Sequence, residues 1–217
     1  MRSVAGVAYN VVCISATDGA MGEQIGALVA QGLGFRLVNE QIVATAAEQA
    51  GIDARVMADV EQRRPVVARV IAQLPRARGP DLLHALVRPS AAPPASGVEG
   101  LRAIIRDVIE DVAISRNAVI VLHGASHALA DREDTLRVLI TAGVHTRRSR
   151  IQAARDLSEG EAAKRVARGD ANRADYIKRF YGVGRELPTH YDIVLNSDRL
   201  SVRQAVEIVV GAASAPG

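Results

Sequence analysis

Five short apolar runs, separated by helical patterns, constrain the fold of this chain more than any other feature. They span residues 9–14, 37–38, 118–122, 136–140 and 191–195. Continuous apolar runs rich in β-branched residues are typical of strands that are buried on both faces, as in parallel sheets. Helices between such strands form right-handed crossovers that cover the sheet. The sequence therefore predicts an α/β fold, a three-layer sandwich in which helices flank a five-stranded parallel sheet.

The helical patterns between these runs fit a single domain over residues 1–217. Apolar residues at helical spacing predict helices over 40–49, 98–115, 172–181 and 201–210, and a capping box at 158–161 opens another. Residues 52–97 are predicted to form a helical insertion interrupted by proline and glycine, and its last ten residues have loop composition. The helix over 98–115 covers the sheet, and a homodimer contact is its alternative role.

Composition indicates a globular protein without a membrane span. Of the 217 residues 48% are hydrophobic and 24% are charged, which are ordinary values. Every apolar run is shorter than a membrane-spanning helix, and no signal peptide is visible, so we expect a cytoplasmic protein. A single cysteine, Cys13, excludes intrachain disulfides, and the His and carboxylate spacing predicts no metal site of the zinc type.

The net charge of +3 is carried mostly by arginine, since Lys164 and Lys178 are the only lysines. Guanidinium groups bind phosphates in a bidentate manner. The chain has no Trp and only six Phe and Tyr residues, so it lacks the aromatic surface on which single-stranded nucleic acids stack. Nucleic-acid binding is therefore not the favoured interpretation of the positive charge.

The first strand leads through a glycine-bearing loop into a helix, which is the setting of a Walker-type phosphate-binding loop. With Gly22 aligned to the last glycine of that motif, Glu23 takes the lysine position and Gln24 the Ser/Thr position, while Thr17 takes the first glycine position. Ligands of such sheets bind beyond the carboxyl ends of the strands. The residues predicted to surround this crevice are Asp18, Gly19, Ala20, Met21, Gly22, Glu23, Gln24, Asn39, His123, Gly124, Arg147 and Arg150.

Several motifs occur in the order found in one known family. They are the loop over 19–26, the turn over 38–41, the Leu-His-Gly-Ala segment over 122–125, the segments over 157–162, 170–176 and 180–182, and the last strand over 191–196. In this order and spacing the chain resembles the cytidylate-kinase-like proteins, a branch of the P-loop nucleoside monophosphate kinases. The resemblance covers most of the chain and is least specific over 52–97.

The resemblance implies phosphoryl transfer from ATP, with Mg²⁺, to a nucleoside monophosphate. It implies that the loop over 18–24 binds the nucleotide, that Asn39, His123 and Gly124 bind the substrate, and that residues 147–182 form a lid. In relatives, arginines at the positions of Arg147, Arg150 and Arg173 neutralise the phosphates. Asp170, three residues before Arg173 on a helix, is expected to orient it.

Departures from the family pattern fall in the crevice. Glu23 replaces a cation, Asn39 replaces an aspartate, and His123 replaces an arginine. A carboxylate that faces a triphosphate weakens binding, although Glu23 also suits the first turn of a helix without any ligand. Three hypotheses stay open: a kinase-like protein with weak or altered transfer, a non-catalytic pseudokinase-type sensor or protein-interaction module, and, with least support, an RNA-binding protein. We expect His127 and His145 to face solvent, and Tyr176, Phe180 and Tyr181 to pack in the core or lid.

Overall fold

The structure is a computed structural model, and it describes residues 9–39, 107–122 and 124–214. The predicted helix over 40–49, the insertion over 52–97 and His123 lie outside the described residues. So does the first part of the helix predicted over 98–115, and with it most of the surface that we considered for a homodimer contact.

The described strands form one parallel sheet, which confirms the predicted fold class. The strands are β1 (Val11–Ala16), β2 (Arg36–Asn39), β3 (Ala118–Val121), β4 (Thr135–Thr141) and β5 (Ile193–Asn196), in the order β2-β3-β1-β4-β5. Each neighbouring pair is parallel. β1 extends two residues beyond the apolar run because Ser15 and Ala16 still pair with Leu139 and Ile140 of β4. This extension determines where the following loop begins.

Helices cover the sheet, and those that follow a strand begin near its carboxyl edge. They are α1 (Gly22–Leu33), α2 (residues 107–114 in the described part), α3 (Ala125–Ala128), α4 (Val144–Arg155), α5 (Glu159–Tyr181) and α6 (Val202–Ser214), with a 3₁₀ turn at Pro188–His190. The predicted capping box is present, because Ser158 and Glu161 exchange hydrogen bonds at the start of α5. Among the described residues, no helix is both long and apolar enough to cross a bilayer.

Helix α5 is one continuous helix of 23 residues, whereas the sequence predicted a separate stretch over 172–181. Gly169 lies inside it without interrupting it. A Cβ at Gly169 would lie 3.4 Å from the Cβ of Asp18, an ordinary van der Waals distance, so the loop after β1 packs beside this part of the helix. The glycine therefore marks a contact within the helix and not a helix end.

Two glycines bring α1 against the sheet. A Cβ at Gly22 would lie 2.2 Å from the Cβ of Ala16, and one at Gly26 would lie 2.3 Å from Cγ2 of Val121. Both distances are far shorter than a van der Waals contact, so only glycine fits at these positions. The apolar face of α1 joins α6, β1 and β4 in one buried core. This packing fixes the first turn of α1 directly beyond the end of β1.

Candidate functional site

The loop between β1 and α1 has a tight, fixed conformation. The Ala20 amide donates a hydrogen bond to the Thr17 carbonyl at 2.9 Å, and the Thr17 amide donates one to the carbonyl of Ile140 in β4 at 3.2 Å. Gly19 has a φ of +82°, and a Cβ there would lie 2.9 Å from the carbonyl oxygen of Arg147. Met21 also has a positive φ, 67°, at the position that caps α1. The loop is thus held against the start of α4.

The first turn of α1 presents polar side chains to solvent. Glu23 and Gln24 are both exposed, and Glu23 is the acidic residue of this turn. A carboxylate here is favourable for the helix dipole. The same end of the helix is where amide groups without intrahelical partners attract anions. The Glu23 side chain therefore places negative charge beside a potential phosphate position.

Arg147 on α4 is held by a carboxylate. Its Nη1 and Nη2 atoms donate to the two carboxylate oxygens of Asp170 on α5, each at 2.7 Å, and Nη1 also lies 3.4 Å from the Asp18 carbonyl oxygen. The Arg147 side chain is 5% exposed and that of Asp170 is 41% exposed. The hydrogen bonds that Arg147 donates to Asp170 raise the pKa of Arg147, so this buried guanidinium stays charged.

Arg150, one turn further along α4, has neutral partners instead. Its guanidinium donates to the Ser197 hydroxyl at 2.9 Å, to the Ser197 carbonyl at 2.7 Å and to the Gly19 carbonyl at 3.3 Å. Ser197 follows β5, and its hydroxyl lies 3.1 Å from the Ala20 carbonyl oxygen. Arg150 and Ser197 therefore connect the loop after β1 to the end of the outermost strand.

Arg173 on α5 is paired with Glu186. Its Nε and Nη2 atoms donate to the two Glu186 oxygens at 2.7 Å each, and Nη1 donates to the Ala16 carbonyl at 3.1 Å. The Tyr191 hydroxyl donates a short hydrogen bond to the same carboxylate. Burial by itself would raise the pKa of Glu186, but contacts with His127 and Arg173 outweigh it and hold that pKa well below its ordinary value.

The prediction that Asp170 orients Arg173 was wrong. Residues three apart on a helix are neighbours, but these two side chains reach different elements. Asp170 pairs with Arg147 of α4, while Arg173 reaches Ala16 at the end of β1 and pairs with Glu186. Glu186 escaped the sequence-based prediction because it lies in a segment without periodic pattern, after α5.

His127 is also placed differently from the prediction, because its side chain is only 7% exposed. Its Nε2 atom lies 3.7 Å from Oε1 of Glu186, and its ring packs against those of Tyr181, His190 and Tyr191. The short helix α3, which carries His127, is brought close to α5 through Gly124. A Cβ at Gly124, whose φ is +83°, would lie 2.5 Å from the ring of Tyr181.

The remaining predicted site residues lie at strand ends. Asn39 is the last residue of β2, pairs in register with Val121 and is 1% exposed. Gly124 follows β3, as predicted. Tyr176 is buried, and its ring packs against those of Phe180 and Tyr181, which confirms their packing role. The exposed position of His145 also agrees with the prediction.

A cavity of about 220 Å³ opens between the loop, α4, α5 and the segment after α5. Its charged lining comes from Arg147, Asp170, Arg173, Arg185 and Glu186. Thr17 also lines it. In the described part of the chain, Thr17 Oγ1 and Arg147 Nε are buried without a hydrogen-bond partner. The guanidinium groups of Arg147 and Arg173 in this lining suit an oxygen-rich anion.

The described residues fit a phosphate better than a bare metal ion. Within residues 9–39, 107–122 and 124–214, no three His, Cys, Asp or Glu side chains lie together as a metal site requires. Asp18 supplies a carboxylate in the loop, but its Oδ2 atom lies 3.4 Å from Nε of Arg165. Mg²⁺ often takes only one or two protein carboxylates and completes its shell with water and phosphate oxygens. Asp18 is suited to that limited role.

A family model described as the cytidylate kinase-like family matches residues 11–199. A comparison with curated protein sequences finds no match. Among solved structures, an uncharacterized protein from Eubacterium ventriosum is similar with a TM-score of 0.60 at 13% identity, covering 94% of this chain and 97% of that chain.

Two shikimate kinases are also similar in structure. The enzyme from Bacteroides thetaiotaomicron has a TM-score of 0.51 at 16% identity, covering 93% of this chain and 94% of its own. The one from Acinetobacter baumannii, solved in complex with shikimate, has a TM-score of 0.52 at 11% identity, covering 95% and 93%. At these identities the similarity shows that the fold is that of P-loop kinases.

Proposed function

Since the chain belongs to the cytidylate kinase-like family, we propose that its crevice binds the phosphate groups of a nucleotide. The observation that carries this proposal is the convergence of three arginines on one loop. Arg147 and Arg150 each donate a hydrogen bond to a carbonyl of this loop, at Asp18 and Gly19, and Arg173 donates one to Ala16 at the end of β1, where the loop begins. Three guanidinium groups beside a helix N-terminus form a positive environment that suits phosphate.

The reaction that fits this site is phosphoryl transfer from ATP to a nucleoside monophosphate, in weak or altered form. Such transfer requires positive charge around the moving group and exclusion of water, with little covalent chemistry from the protein. Arg147, Arg150 and Arg173 supply the charge, and α5 with the segment after it covers the cavity. Mg²⁺, when bound with the nucleotide, neutralises phosphate charge, and Asp18 is the loop residue suited to contact it.

Two substitutions in the crevice support reduced transfer. Glu23, at the position where relatives carry a cation, is exposed in the first turn of α1, where it repels a nearby phosphate. Asn39 ends β2 as a buried amide without charge. Glu23 lowers the positive potential that ATP would meet, and Asn39 removes a carboxylate from the substrate side. We therefore expect phosphate binding to be retained better than rapid turnover.

A non-catalytic sensor of nucleotides is the second candidate, and the arginine partners favour it. Arg147 and Arg173 direct their paired donors at Asp170 and Glu186, so two of the three arginines are neutralised by the protein itself. Arginines that must first release a carboxylate suit ligand sensing more than fast catalysis.

Calorimetric titration tests binding. ATP, CTP and CMP, each with and without Mg²⁺, are titrated into the wild type, Glu23→Lys, and the control Glu207→Lys, which reverses an exposed charge on α6. We expect Glu23→Lys to bind ATP about tenfold more tightly, because a charge reversal several ångströms from a phosphate changes the binding free energy by about 1–2 kcal/mol. Absence of binding by both the wild type and Glu23→Lys would contradict nucleotide binding.

An activity assay separates the two candidates. ADP formation from ATP is measured with each of the four common nucleoside monophosphates. Arg150→Ala should reduce any turnover by about tenfold or more, and because the partners of Arg150 are neutral, it leaves no buried carboxylate unpaired. Arg148→Ala, an exposed neighbour on α4, should leave it unchanged. Binding without turnover would favour the sensor, and turnover that Arg150→Ala reduces would favour the kinase.

A further inference from the structure

The carboxylate of Asp170 occupies the part of Arg147 that a phosphate would use. Both Asp170 oxygens accept hydrogen bonds from the terminal nitrogens of Arg147, at 2.7 Å each. A phosphate group binds arginine through the same pair of parallel hydrogen bonds. Both residues line the cavity beside the loop. The two anions therefore compete for one guanidinium.

The other edge of Arg147 is closed to a ligand. Its Nε atom is buried and, among the described residues, has no hydrogen-bond partner. An oxyanion cannot reach a nitrogen that is shut off from solvent, so it has to approach the terminal nitrogens. The unsatisfied Nε also means that the arrangement with Asp170 leaves a buried donor without compensation. Because Nε is unsatisfied with either partner, Asp170 and a phosphate compete only for the terminal nitrogens.

Asp170 is also easier to displace than the other carboxylate of the site. Its side chain is 41% exposed, whereas that of Glu186 is 23% exposed. Glu186 also accepts a hydrogen bond from Tyr191 and lies 3.7 Å from Nε2 of His127. Release of Asp170 returns a half-exposed carboxylate to water, while release of Glu186 disrupts a buried network. A ligand therefore displaces Asp170 more readily than Glu186.

We propose that Asp170 is an internal competitor that keeps Arg147 occupied until a phosphate group displaces it, a regulation that rests on the proposed phosphate-binding function. The apparent affinity for phosphate is then the intrinsic affinity reduced by the fraction of molecules in which Arg147 is released. If that fraction is about one tenth, the wild type binds about tenfold more weakly than a chain without the competitor. This differs from a positioning role, in which loss of Asp170 would weaken binding.

Calorimetry with inorganic pyrophosphate and with Mg²⁺-ATP tests the competition. Asp170→Asn keeps the size of the side chain and removes its charge, and we expect it to bind both ligands about tenfold more tightly than the wild type. The control Asp175→Asn makes the same change at an exposed position on α5 and should match the wild type within about twofold. The double variant Asp170→Asn/Arg147→Ala should lose the gain, because the guanidinium that is contested has been removed.

The outcomes separate this proposal from the proposed function. Binding by the wild type together with equal or weaker binding by Asp170→Asn would overturn the competition and leave nucleotide binding intact. Binding by Asp170→Asn alone would support the competition and overturn nucleotide binding by the wild type. Absence of binding by the wild type and by Asp170→Asn would overturn both proposals.

Should Asp170→Asn be too unstable for titration, Asp170→Ala is followed by thermal shift. Pyrophosphate should then raise its melting temperature more than that of the wild type, and an equal shift would overturn the competition.

Discussion

At the scale of single residues, the partner of each arginine determines how freely it can meet a ligand. Arg147 is paired with a half-exposed carboxylate, Arg150 with a serine, and Arg173 with a carboxylate that is itself part of a buried network. Removing the carboxylate partner of a buried guanidinium costs folding free energy, because the charge is left uncompensated. A guanidinium with neutral partners loses less when one of them is removed. Arg173 consequently contributes most to stability, and Arg147 and Arg150 are the more available for binding.

The first prediction concerns Glu186→Gln, which removes the charge that compensates Arg173. We expect the free energy of unfolding to fall by about 3 kcal/mol, because the buried guanidinium of Arg173 would keep its charge without a counter-ion. Urea denaturation measures the effect. The control Glu207→Gln changes an exposed side chain on α6 and should stay within about 0.5 kcal/mol of the wild type. Equal effects of the two substitutions would contradict a role for the Glu186–Arg173 pair.

The pKa of Glu186 adds a prediction about pH. Because this pKa is lower in the folded chain than its ordinary value of 4.5, the unfolded chain binds the proton more readily. The stabilisation is complete above that ordinary value and is lost as the pH falls towards the folded pKa. Below pH 4.5 the unfolding free energy of Glu186→Gln should therefore fall less steeply than that of the wild type, by up to about 1.4 kcal/mol per pH unit. If urea denaturation showed that the unfolding free energies of the two proteins fall in parallel with pH, this prediction would be wrong.

Gly19→Ala tests the close approach of the loop to α4. Gly19 and Gly34 both have positive φ, but of these two only Gly19 has backbone and side-chain atoms of Arg147 close to where an added methyl group would lie, at 2.9–3.1 Å. We expect Gly34→Ala to cost about 1 kcal/mol, from the left-handed backbone alone. Gly19→Ala should cost at least about 1 kcal/mol more and should weaken ATP binding, since Arg147 has to shift. Thermal denaturation and calorimetry provide the two measurements, and equal costs would contradict the contact.

Sequence patterns predicted the position of Arg147 and Arg150 but not their partners. The two arginines follow β4, and the carboxyl ends of parallel strands meet at one edge, so their approach to the loop follows from topology. The pairing of Asp170 with Arg147, and of Glu186 with Arg173, depends on how α5 rotates and where the segment after it returns. The burial of His127 depends in the same way on rings from three other segments. Local spacing carries no information about such contacts.

At the scale of elements, α1 is defined by the glycines that face the sheet. The strands and the capping box of α5 were predictable because hydrophobic periodicity and capping residues can be recognised within a short stretch of sequence. The continuity of α5 through Gly169 was not, because a glycine inside a helical pattern has the same appearance whether it ends the helix or accommodates a neighbour. Gly22 and Gly26 illustrate the second case, with Ala16 and Val121 as the neighbours.

Gly26→Ala should disrupt the packing of α1 on β3. The added methyl group would lie 2.3 Å from Cγ2 of Val121, so we expect a loss of about 1–3 kcal/mol from overpacking. Gly211→Ala is the matched control, a helical glycine of α6 with open space around it, and should raise stability by up to about 1 kcal/mol. In urea denaturation, Val121→Ala combined with Gly26→Ala should cost less than the sum of the single changes. Additive costs would rule out the contact as the cause.

At the scale of the whole molecule, Cys13 reports on the integrity of the sheet. It lies in the central strand β1, is fully buried, and pairs with Ile120 and Arg137 on the two sides. Burial raises the pKa of its thiol, so the native chain contains almost no thiolate at neutral pH. A reagent can reach this thiol only when the sheet opens.

Thiol labelling is therefore expected to follow global unfolding. An aromatic disulfide reagent should modify native Cys13 at least about 10³-fold more slowly than the urea-unfolded chain. A ligand that binds the folded state should slow labelling further, in proportion to its occupancy. Rapid labelling of the native chain would show that β1 separates from β3 or β4 without global unfolding.

The link between the loop and Ser197 has a consequence for biosynthesis. The Ser197 hydroxyl lies 3.1 Å from the carbonyl oxygen of Ala20, a residue 177 positions earlier, and Arg150 joins the two segments. A ribosome-bound chain that ends before Ser197 lacks this contact, even though it already contains the loop. The loop therefore gains its full set of contacts only after 177 further residues have been added beyond Ala20, and contacts of such long sequence separation form slowly. Premature capture of a nucleotide by the nascent chain is disfavoured by the order in which the residues emerge.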